Sequence, residues 1–423
     1  MRRLLFLCFL PVLFASCNET PDVVTPNLSM GTLEDTHRIT PVMRASIEGV
    51  YSVFGGSDVF GDQVALKWSY VVSENLVDTT FMLSAFTGRD MCYFALQGGT
   101  LDSVFIFTGY WRKMVNTETG FARFTIPSSK GGRLLFQPNP NVKKDSIVFT
   151  GSFGVGQSLP NTGLILTYQR PLYNGRKFEV LAHRGGGRTS DLLPVSENSV
   201  EMVLFTPRLG TTGLEIDLRL TKDGVPILYH DGEINSRLTQ KSGLVGTIEE
   251  YSWGQLQAFV RLIHGERIPT LQQVLDAALY RTSIRVIYLD NKNSANLALE
   301  RSIQKDYMAK AAAAGREFQI LIGLPNEDKV NEFLALPDYA SAPSLCELSV
   351  DDTRNTKALV WAPRWTLGTL NSDVAQMHAE GRRVFTWTVD VPAYVDQYIK
   401  QGDFDGILTN YAPMVAYYNY TRQ

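Results

Sequence analysis

From residue 178 onward the chain alternates between two periodicities, and this alternation limits the possible folds more than any other feature. Short apolar, β-branched runs read as strands: FEVLAHRG (178–185), GLEIDLRL (213–220), SIRVIYLDNK (283–292), FQILIGL (318–324), LCELSV (345–350), ALVWAP (358–363), RRVFTWTVD (382–390) and FDGILTN (404–410). Between several of them lie stretches with helical spacing, such as TLQQVLDAAL (270–279), LALERSIQKDYMAKAAAAG (297–315) and DVAQMHAEG (373–381). Eight strands joined by helical crossovers predict an α/β fold, a parallel (β/α)8 or TIM barrel, over residues 173–423.

Residues 31–172 have a different texture. Seven short, aromatic, β-branched runs between 64 and 170 are separated by turn signals such as QGG, NTETG, SSKGG and PNPN, with no helical stretch among them. This predicts an all-β domain, either a sandwich or a lipocalin-like up-and-down barrel. It carries no catalytic constellation; a structural or interaction module and a domain binding an unknown ligand or partner are the two readings. RPLYNGRKF (170–178) is the connection.

At 423 residues the chain has room for two cores, and its net charge of −3, with no run of Lys and Arg, argues against a nucleic-acid partner. The amino terminus reads as a secretory signal: Arg2 and Arg3, an apolar run from Leu4 to Phe14, then Ala15-Ser16-Cys17. The apolar run is too short to span a bilayer. The small residues before Cys17 resemble a bacterial lipoprotein box, so residues 1–17 are expected to be a signal ending at a lipidated Cys17, and 18–30 a tether. This places the protein in a bacterial cell envelope, anchored to a membrane surface without crossing it. The alternative is a soluble secreted protein cleaved nearby. Once Cys8 and Cys17 are set aside, Cys92 and Cys346 fall in different domains, so no disulfide framework is expected.

In a parallel barrel the chemistry sits where strands end and the following loops begin, and the unusual polar residues fall there. His183 and Arg184 end the first strand, Glu215 and Asp217 lie on the second, and Asp290 and Lys292 end the third; His230 and Asp231 follow a further extended run, GVPILYHDG. Side chains two apart on a strand share a face. Leu214, Ile216, Leu218 and Leu220 would therefore meet the helices, and Glu215 and Asp217 would look into the barrel mouth. Three carboxylates converging there, with Asp290, repel one another and lose hydration unless a cation sits among them. All-oxygen ligands point to one hard divalent ion, Mg²⁺ or Ca²⁺. His183 and His230 then read as an acid/base pair.

The segments HRGG, ENS, EIDLRLTKDGVPILYHD, RLTQKSGLVGTI, IPTLQQVL, YLDNK, FTWTVD and DGILTN resemble, in this order, the motifs of glycerophosphodiester phosphodiesterases, from about residue 180 to 412. The resemblance implies a hydrolase that splits a glycerophosphodiester into glycerol 3-phosphate and an alcohol. His183 and His230 would be its general acid and base, Glu215, Asp217 and Asp290 its metal ligands, and Arg184 and Lys292 its phosphate contacts. Glu197 and Asn198 would shape the first loop and Trp387 would line the substrate groove. Asp290 departs from the family's usual Glu and is similar to the related sphingomyelinase D and phospholipase D-like toxins. Asp390 and Asn410 stand where Asn and Asp are more common. The alternatives are therefore a phospholipase D-like or sphingomyelinase D-like enzyme acting on lysophospholipids, or a surface lipoprotein whose barrel only binds.

Overall fold

The computed structural model describes residues 30–423; the expected signal, the lipidated Cys17 and nearly all of the tether lie outside the described residues. Its first domain is a closed antiparallel barrel of strands β1 (Gly49–Phe54), β2 (Gln63–Val72), β3 (Thr79–Thr87), β4 (Cys92–Leu101), β5 (Val104–Lys113), β6 (Thr119–Ile126), β7 (Val148–Phe153) and β8 (Thr162–Arg170). Each strand pairs with its sequence neighbour and β1 closes onto β8. The up-and-down barrel is thus the form adopted, not the sandwich. The strand missed from sequence is β1, GVYSVF, which follows directly on the helix Pro41–Ile47.

Tyr51, Phe60, Phe94, Phe107, Trp111, Phe124 and Phe149 are buried together, with rings meeting edge to face, as for Tyr51 and Phe149 at 5.5 Å. A barrel of eight strands is just wide enough for side chains to fill it, and these rings pack its interior.

The second domain closes eight parallel strands: β9 (Glu179–Ala182), β10 (Gly213–Leu220), β12 (Val286–Asn291), β13 (Gln319–Leu324), β14 (Ser344–Cys346), β15 (Val360–Trp361), β16 (Arg383–Thr386) and β17 (Gly406–Thr409), with β17 returning to β9. The run GVPILYHDG supplies β11 (Pro226–Leu228), which pairs antiparallel with β10 outside the ring. Alternation sorts the side chains: Leu181, Val286, Tyr288, Leu321, Leu345, Val360, Phe385 and Leu408 fill the inside. Leu214, Ile216, Leu218, Ile287, Leu289 and Ile320 pack against the helices. Among the described residues no helix is long and apolar enough to cross a membrane.

The two barrels share one apolar core, in which Phe86, Tyr93 and Tyr110 of the first join Leu193, Met202 and Phe205 of the second. Gly210, at φ 82°, sits at this seam, and an added Cβ would lie 2.7 Å from the Phe86 ring. Arg112, at the end of β5 and buried, donates from Nη2 to the carbonyl of Leu192. Leu192 belongs to the loop after β9, so the β domain braces the first loop of the barrel mouth. Replacing Arg112 by Met leaves that carbonyl without its donor and is expected to lower stability by about 1–3 kcal/mol. Chemical denaturation of the full chain would check this.

Candidate active site

The C-terminal ends of the parallel strands gather the polar residues. After Ala182 the chain turns sharply through His183–Gly185, with Arg184 at φ 52°. A side chain held in the left-handed region is strained, and the turn folds the arginine across the mouth. Its amide donates to Glu215 Oε2 at 2.7 Å, its Nη1 donates to Glu197 Oε1 at 2.9 Å, and its Nη2 lies 2.8 Å from His230 Nε2.

The parallel register of β10 and β12 sets Asp217 directly beside Asp290 and Glu215 beside Tyr288. One oxygen from each of Glu215, Asp217 and Asp290 lies within 4.8 Å of the others. Lys292 Nζ stands 2.6 Å from Asp217 Oδ1 and also contacts the Asp290 carboxylate. Asn198, held at φ 58°, donates to Asp217 Oδ2 at 2.6 Å and accepts from the Asp217 amide at 3.1 Å. Burial, then the neighbouring Asp217 and Asp290, push the Glu215 carboxyl well above its ordinary value. Burial acts the same way on Asp217, but Lys292, His230 and Asn198 outweigh it and hold that group down at about 2. Three carboxylates against one ammonium leave two negative charges in a cluster of oxygen donors, Glu215 and Asp217 buried and Asp290 half-buried. That donor set fits one hard divalent cation.

The two imidazoles have different supports. His183 Nδ1 lies 2.7 Å from Asn410 Oδ1. Asn410 is clamped in turn, with its backbone N–H and its Nδ2 both donating to Asp390. Because Nδ2 is spent on that carboxylate, Oδ1 is the atom facing the ring, so His183 carries its proton on Nδ1 and presents a lone pair at Nε2. That Nε2 is 3.8 Å from Glu215 Oε2. Burial, reinforced by the Arg184 charge and opposed by the Asn410 hydrogen bond, holds the His183 pKa below its ordinary value.

His230 Nδ1 lies 2.7 Å from Asp231 Oδ1. Asp231 also accepts from Arg237 and Asn235, and these partners overcome burial to hold it well below the usual carboxylate range. Arg237 reaches Glu197 as well, at 3.3 Å.

Of the residues expected from sequence, His183, Arg184, Glu215, Asp217, His230, Asp290 and Lys292 form one cluster. Glu197 is 3% exposed and turned toward Arg184 and Arg237, pairing with both. Trp387 follows β16, across the ring from β12, with Nε1 donating to Ala362 O at 2.8 Å and Arg364 4.7 Å above its ring. Sequence reasoning missed Asp231–Arg237 and Asp390–Asn410 as supports for the histidines, and missed Glu347 altogether. For Glu347 the signal was present, since alternation from the inward Leu345 points it into the mouth.

The family model for the "Glycerophosphoryl diester phosphodiesterase family" matches residues 183–413. "Probable glycerophosphodiester phosphodiesterase 2" of Mycobacterium tuberculosis is 28% identical over 253 residues, covering 56% of this chain and 88% of that one. The glycerophosphodiester phosphodiesterase of Caldanaerobacter subterraneus subsp. tengcongensis is 25% identical over 239 residues, covering 55% and 93%. Among solved structures, a glycerophosphodiester phosphodiesterase from Parabacteroides distasonis is 22% identical with a TM-score of 0.43, covering 56% of this chain and 94% of that chain. A match that begins at His183 and spans more than half of the chain is decisive: this protein belongs to the glycerophosphoryl diester phosphodiesterase family of hydrolases.

Proposed function

We propose that the chain hydrolyses glycerophosphodiesters to glycerol 3-phosphate and an alcohol, with Glu215, Asp217 and Asp290 holding one divalent cation, Mg²⁺ or Ca²⁺, and His183 and His230 moving protons. The observation that carries this reading is the placement of two differently supported imidazoles beside a three-carboxylate cluster at the mouth of this family's barrel. When bound, the cation supplies positive charge to the phosphoryl oxygens. Arg184 and Lys292 add fixed charge on the same group as negative charge builds there.

His183 is the base of the first step: its Nε2 lone pair takes the proton of the substrate's 2-hydroxyl as that oxygen forms a bond to phosphorus. His230 keeps Nδ1 on Asp231, which balances an imidazolium. Once the substrate phosphate draws Arg184 Nη2 away from the His230 Nε2, that nitrogen carries the proton given to the departing alcohol as its bond to phosphorus breaks. In the second step water replaces the alcohol, His230 accepts its proton, and His183 returns one to the 2-hydroxyl as the cyclic phosphate opens. No acidic or imidazole group that this chemistry needs is missing, which disfavours a barrel that merely binds. The leader expected from residues 1–17 would place the enzyme in a cell envelope, lipid-anchored through Cys17.

Phosphorus NMR on the full chain with sn-glycero-3-phosphocholine and Mg²⁺ or Ca²⁺ tests the reading. Glycerol 3-phosphate is the expected product, preceded by a transient five-membered cyclic phosphate. Phosphocholine, or no turnover, would contradict it.

A further inference from the structure

The inner wall of the barrel mouth has two halves. Above the inner layer of Leu181, Tyr288, Leu345 and Phe385, the next inward positions are His183, Asp290, Glu347 and Trp387, each two residues further along its strand direction. β9, β10 and β12 carry the histidine, the metal-site carboxylates and Lys292. The facing half, after β14 to β16, carries Glu347, Arg364 and Trp387, and the reaction steps above use none of these.

Glu347 follows the last residue of β14, and its amide donates to Leu324 O at 3.2 Å. The Tyr288 hydroxyl donates to its Oε1. Tyr288 is the β12 residue beside Glu215 and two before Asp290, so this hydrogen bond fixes the Glu347 carboxyl against the metal-site wall. Its Oε2 accepts no hydrogen bond from the described residues and lies open to the mouth, and Asp290, Arg364 and Lys292 are the charged groups facing it. Burial pushes the carboxyl up to about 7, with Asp290 adding to the shift and Tyr288, Arg364 and Lys292 opposing it.

A carboxylate oxygen held in a mouth and left without a donor calls for one from the substrate. A quaternary ammonium is a poor candidate: the Trp387 face it would need is covered by Arg364, and Arg364 and Lys292 already supply positive charge. A hydroxyl suits the position, donating one hydrogen bond to Oε2. Resting on the functional reading above, we propose that Glu347 is a specificity-determining residue that accepts a hydrogen bond from the terminal hydroxyl of the substrate's glycerol, and so selects deacylated over acylated phosphodiesters. Sites built to hydrogen-bond a substrate hydroxyl reject analogues lacking it far more strongly than apolar pockets reject an extra group.

The test compares kcat/KM of the full chain, with Mg²⁺ or Ca²⁺ present, on three phosphocholine diesters. One is sn-glycero-3-phosphocholine, the second its 1-deoxy analogue (which keeps the 2-hydroxyl), and the third 1-acyl lysophosphatidylcholine. The wild type is expected to prefer the first over each of the others by at least about 100-fold. In Glu347→Gln and Glu347→Ala the preference over the deoxy analogue is expected to shrink at least about tenfold, more in the alanine variant. Equal losses on the first two substrates, with their ratio preserved, would make Glu347 merely structural and overturn the proposal. Equal wild-type rates on those two would also overturn it, while leaving the hydrolase reading standing. Turnover of the lysolipid alone would overturn both.

Discussion

Replacing His183 by Ala is expected to lower kcat by roughly 10²- to 10⁴-fold, and His230→Ala by a similar factor, with little change in the melting temperature of either variant. The two residues sit on separate supports, Asn410–Asp390 for one and Asp231–Arg237 for the other, so losing one ring does not unseat the other. In the proposed mechanism they act in the same steps, so the double variant is expected to be scarcely worse than either single one, as for other groups that act as a unit. The pH profile separates them from passive residues. His183 is depressed by burial and by Arg184, and its working form is the neutral one, present above its pKa. The acid limb of kcat/KM should therefore lie below pH 6.5, about the ordinary histidine value. Steady-state kinetics across pH checks both points, and near-wild-type turnover in either variant would remove that histidine from the mechanism.

The second large effect concerns the carboxylate cluster. Glu215→Gln keeps an oxygen to accept from the Arg184 amide but removes one of three negative charges. Altering even the outer partners of metal ligands typically costs about 10- to 100-fold in affinity, so a loss of at least about 100-fold is expected for a ligand itself, read by calorimetric titration of Mg²⁺ or Ca²⁺. Stability should respond differently at the two neighbouring acids. Burial and like charge push the Glu215 carboxyl up. Its ionised form is therefore a cost to the folded chain, and in chelator Glu215→Gln should melt no lower than the wild type. Asp217 is held down by Lys292, His230 and Asn198, so Asp217→Asn strands those partners and should melt lower. Added metal stabilises whatever binds it, by about 2.7 kcal/mol at a hundred times the dissociation constant; it should raise the melting temperature of the wild type and leave Glu215→Gln nearly unmoved.

Why the cluster was legible before the fold was known follows from strand geometry. In GLEIDLRL the alternation of leucine and isoleucine with Glu215 and Asp217 leaves one arrangement in a closed parallel sheet, apolar residues to the helices and acids inward. Ile216 and Leu218 pack outward accordingly. The turn at His183–Arg184 and the Asp290-x-Lys292 pair needed only their position at strand ends. What the sequence could not convey is register across long separations. Asn410 reaches His183 from 227 residues away, and Asp390 and Asn410 have no periodic pattern linking them to it. Arg237 lies in a loop, so its grip on Asp231 and Glu197 has no signal in spacing. Glu347 did carry a signal, its alternation with Leu345, although strand β14 itself is only three residues long. The β domain was readable as strands and turns, but its brace from Arg112 to the first barrel loop depends on how two separate barrels meet. The filling of its interior by aromatic rings likewise follows from closure, which decides whether those rings face a lumen or a core.

The most direct assay of the proposed metal-dependent hydrolysis is release of glycerol 3-phosphate from a glycerophosphodiester by the protein lacking residues 1–17, first in EDTA and then with Mg²⁺ or Ca²⁺ restored. Activity is expected to disappear in chelator, to return with one of the two ions, and not to return in Glu215→Gln at the same metal concentration. Full activity in chelator, after the chain has been shown to hold no metal, would contradict the metal-ligand role of Glu215, Asp217 and Asp290.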